Sequence, residues 1–415
     1  MRIAQLHNGI KIVYDNLDLF GTVSFGIFLG KGSKHEKDYE HGITHFIEHM
    51  LFKSNISFLK SSSIDNIEKR GALVNGFTTK EFICVHTKAL KSEIKPIINL
   101  LFDMFFSPLF LNDEINIEKK VIANEIARNL ENRYNQVHEK VVENIYRGHP
   151  LSRSILGTWD SISSFDNTIL SRYHTKMLQS SDIVVAISGH IDKELILFIE
   201  NLFGTISRDI RLQEPLENLV PQVGAEIIIE DKDVKQNYLC VGFPTFSYNH
   251  PQLLSLMLFN QLLGGGRTSF LAKNIRESLG AVYSLSSSTY LYKEGGLLSI
   301  NVASSSKNNI FQLKNIILEL LRKELKKEIT TEQVSITKSQ LKSKMLYSLE
   351  NCTSRMLEFG KNTLLNIGSE NTVNIDFNNT DSIIQSIENT SREDILDVYE
   401  ELLGFSPTIS LITNE

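Results

Sequence analysis

The sequence predicts an α+β fold built from two homologous domains, each an antiparallel-rich sheet with helices packed on it. Three observations carry this. Strand-like runs and helical segments follow one another in the same order in both halves of the 415-residue chain, as an internal duplication would leave them. Both halves contain hairpin patterns rather than a strict alternation of strand and helix. Both also close on a helix holding a Tyr, followed by an aliphatic strand.

The elements pair off along the chain. The strand-like run Thr22–Leu29 opens the first half and Asn237–Phe243 the second, each followed within about ten residues by apolar residues at helical spacing. Gly71-Ala72 begins an alternating run through Thr87, and Gly280-Ala281 begins a comparable run through Val302; both read as hairpins. Long helical segments follow, Asp113–Asn132 and Thr331–Asn351, and both end in Leu-Glu-Asn. Leu170–Gly189 and Ile395–Thr413 are the matching closures. The stretch Ser207–Gly224 holds two prolines and scattered charges without a period, so it reads as a linker. The expected domains are therefore 1–206, carrying the metal motif described below, and 225–415, joined by 207–224.

Composition excludes several classes. Hydrophobic residues make up 41% and charged residues 22% of the chain, with a formal net charge of -6, the composition of an ordinary globular protein. The basic run Arg322–Lys327 suits a solvated helix face, and no Lys/Arg cluster is large enough for a nucleic-acid surface. No apolar stretch reaches the roughly 18 to 20 residues that span a bilayer, and Met1–Gly9 lacks the apolar core of a signal peptide; a cytoplasmic protein without a transmembrane segment is expected. Cys84, Cys240 and Cys352 are odd in number and far apart, which suits buried small hydrophobes rather than disulfides or a cysteine-rich metal site.

The chemistry concentrates in His41–Phe52. His45 and His49 are four apart among Ile43, Phe46, Ile47, Met50 and Leu51, so on a helix two imidazoles project from one face and can converge on one cation. Glu48, three residues after His45, lies beside them. Hydrolytic zinc sites use three protein ligands and leave a position for water. The segment Asp113–Asn132 offers Glu118 and Glu125, seven apart and on one helix face. Aligning the Leu-Glu-Asn ends sets Thr337 and Lys344 opposite these acids, and aligning the Gly-Ala pairs sets Leu254, Met257 and Leu258 opposite His45, Glu48 and His49. The motif occurs in one half only, so it serves chemistry rather than packing.

His45-Phe-Ile-Glu48-His49 has the inverted zinc-protease spacing, and its surroundings resemble the pitrilysin and insulysin family of zinc peptidases, which includes the mitochondrial processing peptidase. The resemblance spans nearly the whole chain, through Leu6-His-Asn-Gly, Gly42-Ile-Thr-His-Phe-Ile-Glu-His-Met-Leu-Phe-Lys, Val121-Ile-Ala-Asn-Glu, His149-Pro150, Leu156-Gly-Thr and Leu262-Leu-Gly-Gly-Gly-Arg-Thr-Ser. It implies one zinc ion per chain held by His45, His49 and Glu125, since 125 − 49 = 76 residues matches the family's distance to its third ligand. It also implies a general base at Glu48 and an assisting acid at Glu118. Arg276 and Tyr283, again seven apart, correspond to the pair that reaches the substrate from the second domain. The segment Ala72-Leu73-Val74-Asn75-Gly76-Phe77 resembles the edge strand that receives an extended peptide, with Gly76 where the family usually has Ala.

The implied function is zinc-dependent endopeptidase action on unfolded peptides or leader-like segments, with the two domains as clamshell walls around a closed chamber. A homodimer or a heterodimer with a related chain is expected. Two rivals remain: a non-catalytic or partner subunit of the same fold, and a metal-dependent hydrolase for another bond, which the bare ligand set permits. Intact His45, Glu48, His49 and Glu125 oppose the first, and the edge strand with Arg276 and Tyr283 opposes the second.

Overall fold

The structure is a computed structural model that describes residues 1–55, 63–208, 219–277, 282–305, 309–366 and 379–414. It divides into two compact units, and each is built on one mixed sheet flanked by helices. The expected linker 207–224 lies largely outside the described residues, as does the pair Gly280-Ala281 that begins the second hairpin. Among the described residues no helix is long and apolar enough to cross a membrane, and Cys84, Cys240 and Cys352 are free and buried.

The first unit holds a six-stranded sheet of β1 (Arg2–Gln5), β2 (Lys11–Asn16), β3 (Thr22–Leu29), β4 (Leu73–Thr78), β5 (Ile83–Leu90) and β6 (Ile183–Gly189). Its order is β1-β2-β6-β3-β5-β4, and only β2 and β6 pair in parallel. The second unit's sheet comprises β7 (Glu226–Glu230), β8 (Gln236–Thr245), β9 (Val282–Leu291), β10 (Gly296–Ser305) and β11 (Thr408–Thr413), in the order β7-β11-β8-β10-β9 with β7 and β11 parallel. Setting β1 aside, the two orders correspond strand for strand, which bears out the duplication. Their central strands β3, β6, β10 and β11 are buried almost throughout, as sheets covered on both faces require.

The compact units draw on both sequence halves. Helix Arg133–Ile145 packs on β8, β10 and β11 of the second unit, and helix Cys352–Leu365 packs on β2, β3 and β6 of the first. The domains expected at 1–206 and 225–415 thus each lend one helix to the other unit. The Leu-Glu-Asn repeats mark this exchange: Asn132 and Asn351 follow the long helices and cap the lent ones, their side-chain oxygens accepting from the Asn135 and Thr353 N–H groups, as N-cap residues do. Each receiving sheet makes room with a glycine. A Cβ on Gly26 would stand 2.6 Å from Met356 Sδ, and one on Gly242 would stand 2.3 Å from Val141 Cγ1. Glycine within a strand commonly marks such close approach.

In the first unit one face of the sheet packs against the helix Ile43–Leu51 and the helices that follow it, through Phe25, Ile27, Phe46, Leu101 and Phe203. The other face is covered by Met356, Phe359 and Leu364 of the lent helix against Phe28, Cys84 and Val184. Burying each such side chain contributes about 1.5 to 3 kcal/mol, so the site described next rests on a well-packed platform.

Candidate metal centre

The helix Ile43–Leu51 buries Ile43, Phe46, Ile47, Met50 and Leu51, which fixes its rotation. Its start is made by Gly42 in the left-handed region, φ 87°, and a Cβ there would stand 2.7 Å from Gly157 Cα; both facts demand glycine. The first helical N–H groups are met by Glu36, whose carboxylate accepts from Gly42 N–H at 2.8 Å and Thr44 N–H at 2.9 Å. Burial pushes the Glu36 carboxyl up to about 7, with the Gly42 and Thr44 bonds pulling the other way.

From this helix His45 and His49 face one another edge-on, ring centroids 4.5 Å apart. Opposite them the helix Asn112–Glu131 buries Ile115, Glu118 and Ile122 and leaves Glu125 half-buried. Glu125 Oε2 lies 3.8 Å from His45 Nε2 and 3.5 Å from His49 Nε2, and one donor atom from each of the three residues lies within 4.8 Å of the others. A tetrahedral zinc ion with ligands at about 2.0–2.1 Å spaces its ligand atoms by about 3.3 Å. Two imidazoles and a carboxylate are also a zinc donor set, so the residues present fit this ion.

Glu118 stands behind His49 rather than in the cluster. Its Oε1 accepts from His49 Nδ1 at 2.8 Å, while Lys53 Nζ lies 2.8 Å from its Oε2. With a metal bound, this bond would keep the proton on Nδ1 and leave the Nε2 lone pair of His49 for the cation, the usual way a carboxylate sets the tautomer of a metal-binding histidine. Burial raises the Glu118 carboxyl, but the bonds from His49 and Lys53 outweigh it and hold the group below its ordinary value. Burial lowers both imidazoles; for His49 the bonds to Glu118 and Glu125 prevail and raise it above its ordinary value, whereas His45, repelled by His49, stays below its own.

Glu48 is 8% exposed. Burial pushes its carboxyl up to about 7, against the charge of His49 and a long 3.4 Å bond donated by Thr78 Oγ1. The strand β4, at the edge of the sheet, passes directly beside it: a Cβ on Gly76 would stand 2.8 Å from the Phe52 ring and 2.9 Å from Glu48 Oε1. Glycine at 76, where the resemblance leads one to expect Ala, is thus tied to a close approach of the strand to Glu48. Of the segment assigned to peptide binding, Leu73 and Asn75 are exposed, and Val74, Gly76 and Phe77 are half-buried. Ala72 differs: it precedes β4, its side chain is 2% exposed, and its N–H turns back to Ile67 O.

Comparison with known proteins bears on this geometry. Residues 11–159 match the family model described as insulinase, peptidase family M16, and residues 164–341 match the one described as peptidase M16 inactive domain. A zinc protease of Bacillus subtilis, YmxG, itself uncharacterized, is 30% identical over 406 residues, covering 98% of this chain and 96% of the relative. The chain belongs to the M16 family of peptidases. An uncharacterized zinc protease of Rickettsia felis is 29% identical, over 87% of this chain and 86% of its own length. Among solved structures, a protease from Helicobacter pylori superimposes with TM-score 0.88 at 19% identity over 99% of both chains. An M16 inactive-domain protein from Pseudomonas fluorescens does so at 0.86 and 15% identity, over 100% of this chain and 98% of that one. These likenesses bear out the two-domain α+β fold.

Within the M16 frame, the second half has plain packing where the first has chemistry. Leu254 and Leu258 are buried in helix Leu253–Gly264, and Thr337, opposite Glu118, is buried with its hydroxyl on Gln333 O. Arg276 and Tyr283 belong to the second unit, in the π-helical turn Ala272–Glu277 and in β9, and both side chains are exposed. Sequence reasoning missed Glu36 and Lys53. Glu36 stands six residues before the helix it caps, beyond the usual N-cap signature; Lys53, four residues after His49, carried the helical spacing that could have linked it to the same partner.

Proposed function

We propose that this M16 chain is a zinc-dependent endopeptidase that hydrolyses unfolded or extended peptides, leader-like segments among them. The observation that carries the reading is the convergence of His45, His49 and Glu125 donor atoms beside a buried carboxylate, Glu48. A zinc ion held by those three residues supplies Lewis acidity and lowers the pKa of water from 15.7 to about 7. Glu48 takes the proton of the attacking water on a carboxylate oxygen and passes it to the leaving amine nitrogen. Glu118 keeps the His49 proton on Nδ1. Leu73 to Phe77 offer the outer edge of β4, the last strand of the sheet, to an extended peptide by main-chain hydrogen bonds, while the buried side chain of Ala72 takes no part.

Arg276 and Tyr283 would donate to the substrate carbonyl oxygen as negative charge develops there; the family resemblance and the exposure of both side chains support this role. The family resemblance also supports a closed chamber that admits unfolded chains, and a dimer of identical or related chains. Sedimentation of the purified protein tests the dimer: a monomer at all concentrations would remove it.

The central test compares two variants. Glu48→Gln should keep stoichiometric zinc and lose about 10²- to 10⁴-fold in cleavage of a quenched peptide, the usual contribution of a general base. His49→Ala should lose zinc and activity together. Wild-type cleavage by Glu48→Gln would overturn the assignment of the base. The description of the family matched by residues 164–341, an inactive domain, suits the absence of the motif there; stoichiometric zinc in the whole chain without cleavage of any unfolded peptide would favour a non-catalytic subunit.

A further inference from the structure

The two acids of helix Asn112–Glu131 share one face, yet they hold different positions, and the residue that distinguishes them comes from the other helix. Lys53 sits in the turn that closes the motif helix, its N–H bonded to Met50 O. His49 and Lys53 are thus four residues apart and straddle Glu118: Nδ1 of His49 is 2.8 Å from one carboxylate oxygen, Nζ of Lys53 is 2.8 Å from the other. Glu118 is 3% exposed. A carboxylate beside a metal-binding histidine has two uses open to it, as a ligand or as the acceptor that orients a ligand. With one oxygen bonded to His49 Nδ1 and the other ion-paired to Lys53, it can only orient.

We infer that Lys53 is a positioning residue of the metal centre: by pinning the outer oxygen of Glu118 it keeps that carboxylate on His49 Nδ1 and leaves Glu125 as the acidic ligand. The inference rests on the reading of His45, His49 and Glu125 as zinc ligands. Without the Lys53 ammonium, Glu118 is a buried anion with one satisfied oxygen, and rotation toward the cation becomes its best alternative. That rotation breaks the bond that holds the His49 tautomer. Removing an orienting partner of this kind typically lowers metal affinity 10- to 100-fold.

The test measures zinc affinity of the full chain by competition with a chromogenic chelator, for the wild type, Lys53→Met, Lys53→Arg, Glu118→Gln and the double variant Lys53→Met/Glu118→Gln. Lys53→Met should bind zinc at least about tenfold more weakly, Lys53→Arg should stay near the wild type, and the double variant should match Glu118→Gln alone, because Lys53 acts only through that carboxylate. Melting of the zinc-free proteins confirms that each is folded; Lys53→Met, which leaves the Glu118 carboxylate short of a partner, should melt below the wild type and the double variant closer to it. Zinc affinity unchanged in Lys53→Met, or losses that add in the double variant, would overturn the inference while leaving the metal centre intact. A wild type that binds no zinc would overturn both.

Discussion

The cap on the motif helix allows a quantitative test through Glu36→Gln. Glu36 is 3% exposed and its two oxygens meet the N–H groups of Gly42 and Thr44. Burial raises its carboxyl from 4.5 to about 7, so between these values the folded chain holds a proton that the unfolded chain has released. Stability then falls as pH rises through this window, by about 1.4 kcal/mol per unit and about 3 kcal/mol in all. Glutamine cannot ionise and lacks this loss. Its NH2 group cannot accept, so one of the two helix N–H bonds is lost at every pH and the variant starts below the wild type near pH 4.5; from there to above pH 7 the difference should move in its favour by about 3 kcal/mol. Urea unfolding of both proteins from pH 4.5 to 8, read as the difference in unfolding free energy at each pH, isolates the term. A difference that stays flat would refute the reasoning and mean that the helix amides hold Glu36 ionised throughout.

Two further perturbations act on the same platform. His174 is buried and donates from Nε2 to Phe105 O, and burial lowers it from 6.5 to about 4; it is neutral in the fold, so its contribution is complete above pH 6.5 and is lost as pH falls toward 4, about 3 kcal/mol. His174→Gln should flatten the acid side of the stability profile measured by urea unfolding, with the opposite sign to Glu36→Gln. Gly42→Ala places a Cβ against backbone atoms of Gly157 and Leu156 at a φ of 87°; left-handed strain of about 1–2 kcal/mol plus overpacking of about 1–3 kcal/mol should lower the melting temperature and weaken zinc binding together, as thermal scans with and without zinc would record.

Much of the candidate centre was legible because helical spacing alone brings His45, Glu48 and His49 to one face, and because the second half keeps the helix without the chemistry. Spacing could not separate Glu118 from Glu125, since residues seven apart project alike; the resemblance chose Glu125, and the turn carrying Lys53 supplies a physical reason. The hairpins, the long helices and the closing strands appear in the structure within a few residues of their sequence bounds. The exchange of Arg133–Ile145 and Cys352–Leu365 was not legible, because an amphipathic helix reveals which face is apolar and not which sheet receives it. The glycines Gly26 and Gly242, isolated in the middle of otherwise strong strands, were the available signal. Glu36 was hidden for a different reason: its bonds go to backbone groups, which leave no side-chain pattern.

The proposed activity of this chain is zinc-dependent peptide cleavage. The most direct measurement is mass-spectrometric mapping of cuts in a mixed pool of unfolded peptides by the purified zinc-loaded protein, beside a chelated sample and the Glu48→Gln variant. Internal cuts should appear with the wild type, vanish on chelation and return when zinc is restored, and be absent from Glu48→Gln. Cuts that persist in the chelated sample and in Glu48→Gln, or a fully zinc-loaded wild type that leaves every peptide intact, would contradict it.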